Sequence, residues 1–205
     1  MNSKKGVSNI YQELIKGNIR QPTKTKWETI LGITVEKWKS SFALLKSITS
    51  DTKFIWFQIR ILHHSLTTNR SVSKFKTEQN DACEFCKSHS ETIHHLLWKC
   101  PKVNSFWQEL VELISLRCTV DFKIDESIVI IGNHDNSENN RMCNFITILA
   151  KHYIYRSKVQ KTNLNLRPFI RELHNRYCIE RHIYRDSHEF RKAWHPFLKL
   201  FQSLL

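Results

Sequence analysis

Between residues 83 and 100 the chain concentrates side chains that bind metals. Cys83 and Cys86 are separated by two residues, a histidine pair follows, and Cys100 closes the stretch. With His95 as the fourth ligand the spacing is C-x2-C-x8-H-x4-C. Three thiolates and one imidazole are a standard tetrahedral donor set for structural zinc. We therefore predict a zinc site made of Cys83, Cys86, His95 and Cys100, with Zn²⁺ as the cofactor.

The identity of the histidine ligand is open between two adjacent residues. We favour His95, with His94 as its rival, whereas His89 follows Cys86 so closely that the geometry would be tight. The alternative is a set of unliganded cysteines packed as small apolar residues, which explains one cysteine better than the ordered spacing. Four protein ligands leave no coordination position for a catalytic water. Because structural zinc supplies about 10–16 kcal/mol of apparent binding free energy, we expect this segment to lose its structure without metal.

The charge of the chain indicates a polyanionic partner. Lys and Arg number 32 against 19 Asp and Glu, which gives a formal net charge of +13 and a pI near 9.6. Nucleic acid is the first candidate for such a chain, and an anionic membrane surface is the second. The sequence contains no run of about 18 apolar residues, so we predict no membrane-spanning helix.

Six cysteines and the absence of an apolar leader favour a reducing intracellular compartment, either nucleus or cytoplasm. Cys118, Cys143 and Cys178 are scattered, and we expect them to fill the core. Catalytic patterns are missing: the chain has no H-E-x-x-H, Walker loop, dinucleotide-binding glycine pattern, G-x-S-x-G or adjacent aspartate pair. We therefore predict no enzymatic activity for this chain.

Apolar residues recur at helical spacing through most of the chain, which predicts a mostly α fold. Residues 51–66 fit both a strand and a helix period, and their length favours a helix. Ile128–Ile131 is the one β-like run. The other predicted helices cover residues 10–15, 24–31, 35–45, 72–75, 103–114, 141–161 and 168–184, with a last segment that begins at Ser187 and restarts at His195-Pro196. The predicted architecture is a helical platform with a small CCHC zinc knuckle and at most one short β segment.

We divide the chain into four segments. Residues 1–76 form an N-terminal helical segment, and residues 77–116 hold the zinc knuckle and the helix that follows it. Residues 117–140 are a connector with the short β run and a polar loop, and residues 141–205 form the basic C-terminal helices.

Basic side chains on the exposed helix faces are candidate phosphate contacts, because each neutralised phosphate steepens the salt dependence of binding. The predicted nucleic-acid contacts are Arg60, Arg70, Lys87, Lys99, Lys151, Arg156, Lys158 and Arg171. Trp98, Tyr153 and Tyr155 lie near basic residues and could stack on bases, although core packing is the preferred role for each.

The chain resembles the C-terminal region of reverse transcriptases from LINE-type (non-LTR) retrotransposons. Cys83, Cys86, Glu91-Thr92, His95-Leu96 and Cys100 are similar to the zinc knuckle of that family, and Phe106-Trp107 to the helix after it. The helix ahead of the knuckle resembles Trp56-Phe57-Gln58 with Arg60 to His63, followed by Thr67 to Asn69. The segment after the polymerase thumb has its counterpart in Asn9 to Tyr11 with Leu14, Trp27 and Trp38, which it resembles. The closing helices of the family resemble Ala150 to Arg156 and Phe190 to Trp194.

This resemblance implies a module that holds RNA template or target DNA for target-primed reverse transcription, with the polymerase part of the parent protein as a possible further partner. Since the polymerase and endonuclease motifs of the family are missing, and Met1 falls where a thumb-adjacent segment would already be under way, we expect a C-terminal fragment. The alternative function is a protein-interaction scaffold with a purely structural zinc site.

Overall fold

A computed structural model describes residues 22–204, apart from residues 77, 79, 136 and 138. The predicted helix over residues 10–15 lies outside this range. The described helices are α1 Pro22–Leu31, α2 Val35–Ile48, α3 Thr52–Leu62, α4 Asn69–Ser73, α5 Pro101–Arg117, α6 Glu126–Ile131, α7 Asn140–Gln160, α8 Leu166–Ile183 and α9 His188–Trp194. A π-helical turn, His95–Lys99, precedes α5, and a 3₁₀ helix, His195–Leu204, follows α9. The predicted mostly α fold is confirmed.

Short polar side chains begin several helices. The Thr34 hydroxyl accepts from Lys37 N at 3.3 Å to cap α2, and the Ser187 hydroxyl accepts from Phe190 N at 3.2 Å to cap α9. The Asp51 carboxylate accepts from Lys53 N at 2.9 Å at the start of α3. Each cap satisfies an N–H that has no partner within its own helix. The ambiguous segment after Asp51 is therefore helical, although α3 ends at Leu62 rather than Leu66.

The predicted β run at residues 128–131 is wrong, because these residues form the short helix α6. Asp125 begins it by accepting from Ile128 N at 2.7 Å. Gly132 ends it with φ +92°, where a β-carbon would lie 2.7 Å from the side chain of Leu44. Val129, Ile130 and Ile131 are all buried, so the apolar run reflects burial on every side rather than sheet pairing.

The last carbonyls of α6 are satisfied by side chains from two other helices. Lys151 Nζ on α7 donates to Val129 O at 2.7 Å, and Gln58 Nε2 on α3 donates to Ile130 O at 2.6 Å. Lys151 Nζ also donates to Gln58 Oε1. These contacts give the orphan carbonyls of a buried helix end their partners, and they bring α3, α6 and α7 together in the core.

One hydrophobic cluster draws its members from Trp27 to Phe201. Trp27, Trp107 and Trp194 are its largest fully buried side chains. The π-helical turn packs against α5, α6 and α7, so the zinc segment shares this core. Cys118 and Cys143 are buried as predicted, but Cys178 is exposed, which corrects its assignment to the core. Within the described ranges, no helix combines the length and apolar character needed to cross a membrane.

Candidate metal centre

The first two cysteines lie in a tight loop closed by backbone hydrogen bonds. Cys83 N donates to His89 O at 2.7 Å, and Lys87 N donates to Cys83 O at 2.9 Å. Lys87 adopts φ +56°, which turns the chain sharply after Cys86. An isolated antiparallel bridge between Ala82 and Ser90 joins the two sides of the loop. This local geometry presents both sulfurs of the C-x2-C pair on the same side.

The other two donors lie at the ends of the π-helical turn. Cys100 N donates to His95 O at 2.8 Å, a hydrogen bond that spans five residues. In an α-helix, side chains five residues apart point about 140° away from each other. The wider turn brings His95 and Cys100 to the same side instead, and π-turns of this kind are frequent at functional sites. Trp107 Nε1 stabilises the turn by donating to Leu97 O at 2.9 Å.

Together these elements bring Cys83, Cys86, His95 and Cys100 into one cluster, with all four donor atoms within 4.8 Å of one another. The Cys83 and Cys100 sulfurs are 3.8 Å apart, and Cys86 Sγ lies 3.3 Å from His95 Nε2. A tetrahedral zinc ion with Zn–S bonds of about 2.3 Å requires S···S edges of about 3.8 Å and slightly shorter S···N edges. The donor set and its spacing therefore fit zinc.

The environment of the sulfurs favours their deprotonated, metal-binding form. The Cys83 thiol donates a hydrogen bond to Cys100, which lowers the pKa of Cys100 to about 6 and raises the pKa of Cys83. Burial acts to raise the pKa of Cys86, but hydrogen bonds from Ser88, His89 and His95 outweigh it and lower that pKa to about 5. Two of the three thiols thus ionise readily near neutral pH, as thiolate ligation requires.

The two other histidines of the stretch have different partners. His94 Nε2 contacts a Glu126 carboxylate oxygen, and the His94 ring meets the edge of Trp27 at 6.4 Å. His89 is exposed, and its Nδ1 lies 2.8 Å from the Ser88 hydroxyl. The structure therefore places His95, rather than its rival His94, with the three sulfurs.

A buried carboxylate holds the loop that carries Cys83 and Cys86, here called the metal loop, to the rest of the fold. This residue, Glu91, falls within the family resemblance, but the sequence assigned it no role. Glu91 is fully buried, and its two oxygens accept from Asn69 N at 2.8 Å and from Glu84 N at 2.9 Å. Lys158 Nζ lies 3.2 Å from the same carboxylate. Glu91 thus links the C-x2-C loop, the start of α4 and the last turn of α7.

One of the predicted nucleic-acid contacts is contradicted by the structure. Lys151 is 1% exposed and its ammonium is bound to Gln58 and Val129 inside the core, so it cannot reach a phosphate. Its helix α7 is buried on all sides between Met142 and Ile154, which leaves no basic outer face at Lys151. Burial lowers the pKa of Lys151 from 10.5 to about 7.

The other seven predicted contacts fall into two groups. Lys87, Lys99, Arg156 and Lys158 are paired with Glu84, Glu126, Glu172 and Glu91 respectively. Arg60, Arg70 and Arg171 are exposed, and no described carboxylate lies within ion-pair distance of them. Lys158 is the least accessible of the seven, because only 10% of its side chain is exposed.

Core packing, the preferred role for Trp98, Tyr153 and Tyr155, agrees with the structure, in which all three lie in or against the hydrophobic cluster. Tyr153 is buried, and its hydroxyl donates to Asn165 O at 3.0 Å. Trp56 on α3 is 63% exposed instead, between the exposed Lys53 and Arg60. Lys53, Trp56 and Arg60 recur at spacings of three and four, which puts them on one face of the helix. The sequence carried this signal, but the apolar run around Trp56 concealed it.

Residues 7–107, which are 101 of the 205 residues, match the family model described as zinc-binding in reverse transcriptase. No curated protein and no solved structure matches the chain. The matched range includes all four residues of the cluster and ends at Trp107, whose indole supports the π-helical turn. The family is a zinc-binding domain rather than a catalytic one. Residues 7–107 thus resemble a zinc domain associated with reverse transcriptases, and the metal indicated by both the match and the donor set is Zn²⁺.

Proposed function

We propose that this chain is a zinc-stabilised nucleic-acid-binding module of a LINE-type reverse transcriptase. In this proposal it holds RNA template or target DNA for target-primed reverse transcription and has no catalytic residues of its own. It works in the nucleus or the cytoplasm, where its nucleic-acid partners are found. The observation that carries the proposal is a structural zinc cluster in a chain whose net charge is +13.

In this function the zinc ion would cross-link two short segments of the chain. Cys83 and Cys86 hold it from the loop, and His95 and Cys100 hold it from the π-helical turn. Glu91 then joins the cross-linked loop to α4 and α7 through its hydrogen bonds and its ion pair with Lys158. The chain's own cations attract phosphates, and Trp56 offers an exposed ring for a base.

The binding test is a titration of the zinc-loaded chain with fluorescent single-stranded RNA, single-stranded DNA and duplex DNA across a salt series. We expect log Kd to rise linearly with log salt, with a slope of about 0.7 per neutralised phosphate for single strands and about 0.9 for duplex DNA. A Cys83→Ser, Cys100→Ser double variant removes two donors and should lose both zinc and binding.

The matched control is Cys178→Ser, which changes an exposed cysteine outside the cluster. It should keep zinc, affinity and salt slope. Undetectable binding by the zinc-loaded chain, or binding independent of salt, would overturn the proposed function.

A second candidate function is a protein-interaction scaffold with a purely structural zinc site. It is supported by apolar side chains exposed near the end of α8, where Ile179 is 49% exposed and Ile183 is 64% exposed. These residues are one helical turn apart, and the polymerase part of a parent protein is the partner that this face would contact. Ile179→Glu with Ile183→Glu would abolish such a contact and leave nucleic-acid binding intact.

A further inference from the structure

A basic groove of about 400 Å³ lies beside the metal centre. Lys26 on α1 lines it, as do Arg70 on α4 and Lys74 just beyond that helix. Thr92 to His94, the residues immediately before the zinc-cluster residue His95, form the facing wall. Among the residues that the structure describes, no carboxylate lines this groove, which we call the α4 groove.

The positive charge of the α4 groove is not neutralised within the described part of the chain. No described carboxylate lies within ion-pair distance of Lys26, Arg70 or Lys74, and all three side chains are exposed. By contrast, Lys87 and Lys99, which lie closer to the zinc cluster in sequence, are paired with glutamates. The groove therefore brings together, beside the zinc cluster, three cations that remain available to an external anion.

The backbone that carries the two cations of the α4 region is anchored to the metal loop. Asn69, the first residue of α4, donates its backbone N–H to Glu91 and its side-chain amide to Ala82 O at 2.8 Å. A capping box between Thr68 and Ser71 fixes the same turn. Arg70 follows Asn69 directly, so its position depends on the loop that carries Cys83 and Cys86.

The cation on the opposite side is fixed by a ring stack. Trp27, next to Lys26, is fully buried and stacks on His64 with ring centroids 4.0 Å apart. Its indole N–H donates to Leu62 O at 3.1 Å, at the end of α3. His64 lines the groove and is itself held in a left-handed conformation with φ +52°. The backbone that carries Lys26 is thus anchored in the core although its ammonium is exposed.

We infer that the α4 groove binds the sugar–phosphate backbone of the nucleic acid. Three cations that no described carboxylate pairs are distributed over two elements, which suits successive phosphates of a chain better than one isolated phosphate. The described lining also holds no carboxylate that would repel them. This inference rests on the proposed function, because it names the part of the surface that the nucleic acid occupies. It also gives the metal loop a second role, which is to position the backbone at Arg70.

The experiment compares two charge-matched triple variants of the full zinc-loaded chain. The groove variant is Lys26→Gln, Arg70→Gln, Lys74→Gln, and the control variant is Lys102→Gln, Arg117→Gln, Lys199→Gln. Each removes two lysines and one arginine, and the control residues are exposed on α5 and the 3₁₀ helix. The measured quantity is the slope of log Kd against log salt for a single-stranded oligonucleotide.

We expect the groove variant to reduce that slope by about 2, since each lost contact with a single strand removes about 0.7. The control variant should reduce it by less than half as much. Equal slopes for the two variants would overturn the inference while leaving the proposed function intact, since the unmodified chain would still bind. If the unmodified chain does not bind, the proposed function itself fails.

Two further measurements keep the test decisive. Zinc content of both variants should equal that of the unmodified chain, which separates lost contacts from a lost fold. If the triple variant loses zinc, the exposed Lys74→Gln change alone should still lower the slope by about 0.7 relative to Lys102→Gln. Competition by inorganic phosphate at constant ionic strength distinguishes a single-anion site, which would release the oligonucleotide, from a backbone site, which would not.

Discussion

Lys158 Nζ lies 3.2 Å from the carboxylate of Glu91, a residue with no exposed surface. This pair joins the last turn of α7 to a carboxylate that also accepts from Asn69 N and Glu84 N. Removing one member of a buried ion pair leaves the other charge without compensation. The side chain of Glu91 therefore joins the metal loop to both α4 and α7.

We expect Glu91→Ala to lower the free energy of unfolding by about 3–5 kcal/mol, because it leaves Lys158 unpaired and two backbone N–H groups without acceptors. Urea unfolding of the zinc-loaded chain measures this. Glu84→Ala is the control: it removes a carboxylate whose partner Lys87 is 64% exposed, and should cost no more than about 1 kcal/mol. Equal losses for the two variants would show that Glu91 has no special role.

Metal content of purified variants identifies the fourth ligand. Because His95 Nε2 is 3.3 Å from Cys86 Sγ while His94 contacts Glu126, we expect His95→Ala to lose zinc and His94→Ala to retain it. Cys83→Ser, Cys86→Ser and Cys100→Ser should each reduce zinc content, and Cys178→Ser should not. Zinc loss with His94→Ala and retention with His95→Ala would reverse the ligand assignment.

We expect the titration of Lys151 to make the free energy of unfolding depend on pH. Its pKa is 10.5 when exposed and about 7 when buried. Between these values the unfolded chain binds the extra proton, so the free energy of unfolding rises with pH, by at most about 1.4 kcal/mol per pH unit. Denaturant unfolding at several pH values from 7 to 9.5 measures the slope.

Lys151→Met is the matching variant for this measurement, because it keeps an unbranched apolar chain of similar length but cannot titrate. The slope of the variant should be smaller than that of the unmodified chain over the same pH range. The zinc site titrates identically in both, so the difference between them isolates Lys151. Identical slopes would mean that Lys151 keeps its ordinary pKa.

Trp56 offers a test of base stacking that is separate from phosphate binding. Stacking of one base on an aromatic side chain contributes about 1–3 kcal/mol, so Trp56→Ala should weaken single-strand binding by about fivefold to a hundredfold with an unchanged salt slope. Tyr184→Ala, at another exposed aromatic on the far end of α8, is the control. A loss of the same size in the control would argue against stacking on Trp56.

The zinc cluster could be predicted from the sequence because its ligands are close in the chain and their spacing reflects local geometry. Helix starts at Thr34, Asp51 and Ser187 were equally accessible, since a cap involves only the next two or three residues. The four-segment division of the chain stays a prediction.

What sequence patterns missed depends on contacts between distant residues. Ile128–Ile131 forms a helix because Gln58 and Lys151, far away in the chain, satisfy its last carbonyls. The same contact buries Lys151, which looked like an ordinary surface lysine. The role of Glu91 was missed for a similar reason: its partners Asn69 and Lys158 lie on helices that only the folded chain brings together.

The π-helical turn has a consequence for how the segment tolerates length changes. It holds one residue more between successive hydrogen-bonded positions than an α-helical turn does. At the present length, rewinding this turn into a regular α-helix would point Cys100 about 140° away from His95 and remove it from the other three donors. Deleting one residue between them would instead leave a spacing of four, at which an α-helix keeps both donors on one face. The extra residue and the wider turn therefore compensate each other, and we expect the zinc site to tolerate the loss of both together but not of the wider turn alone.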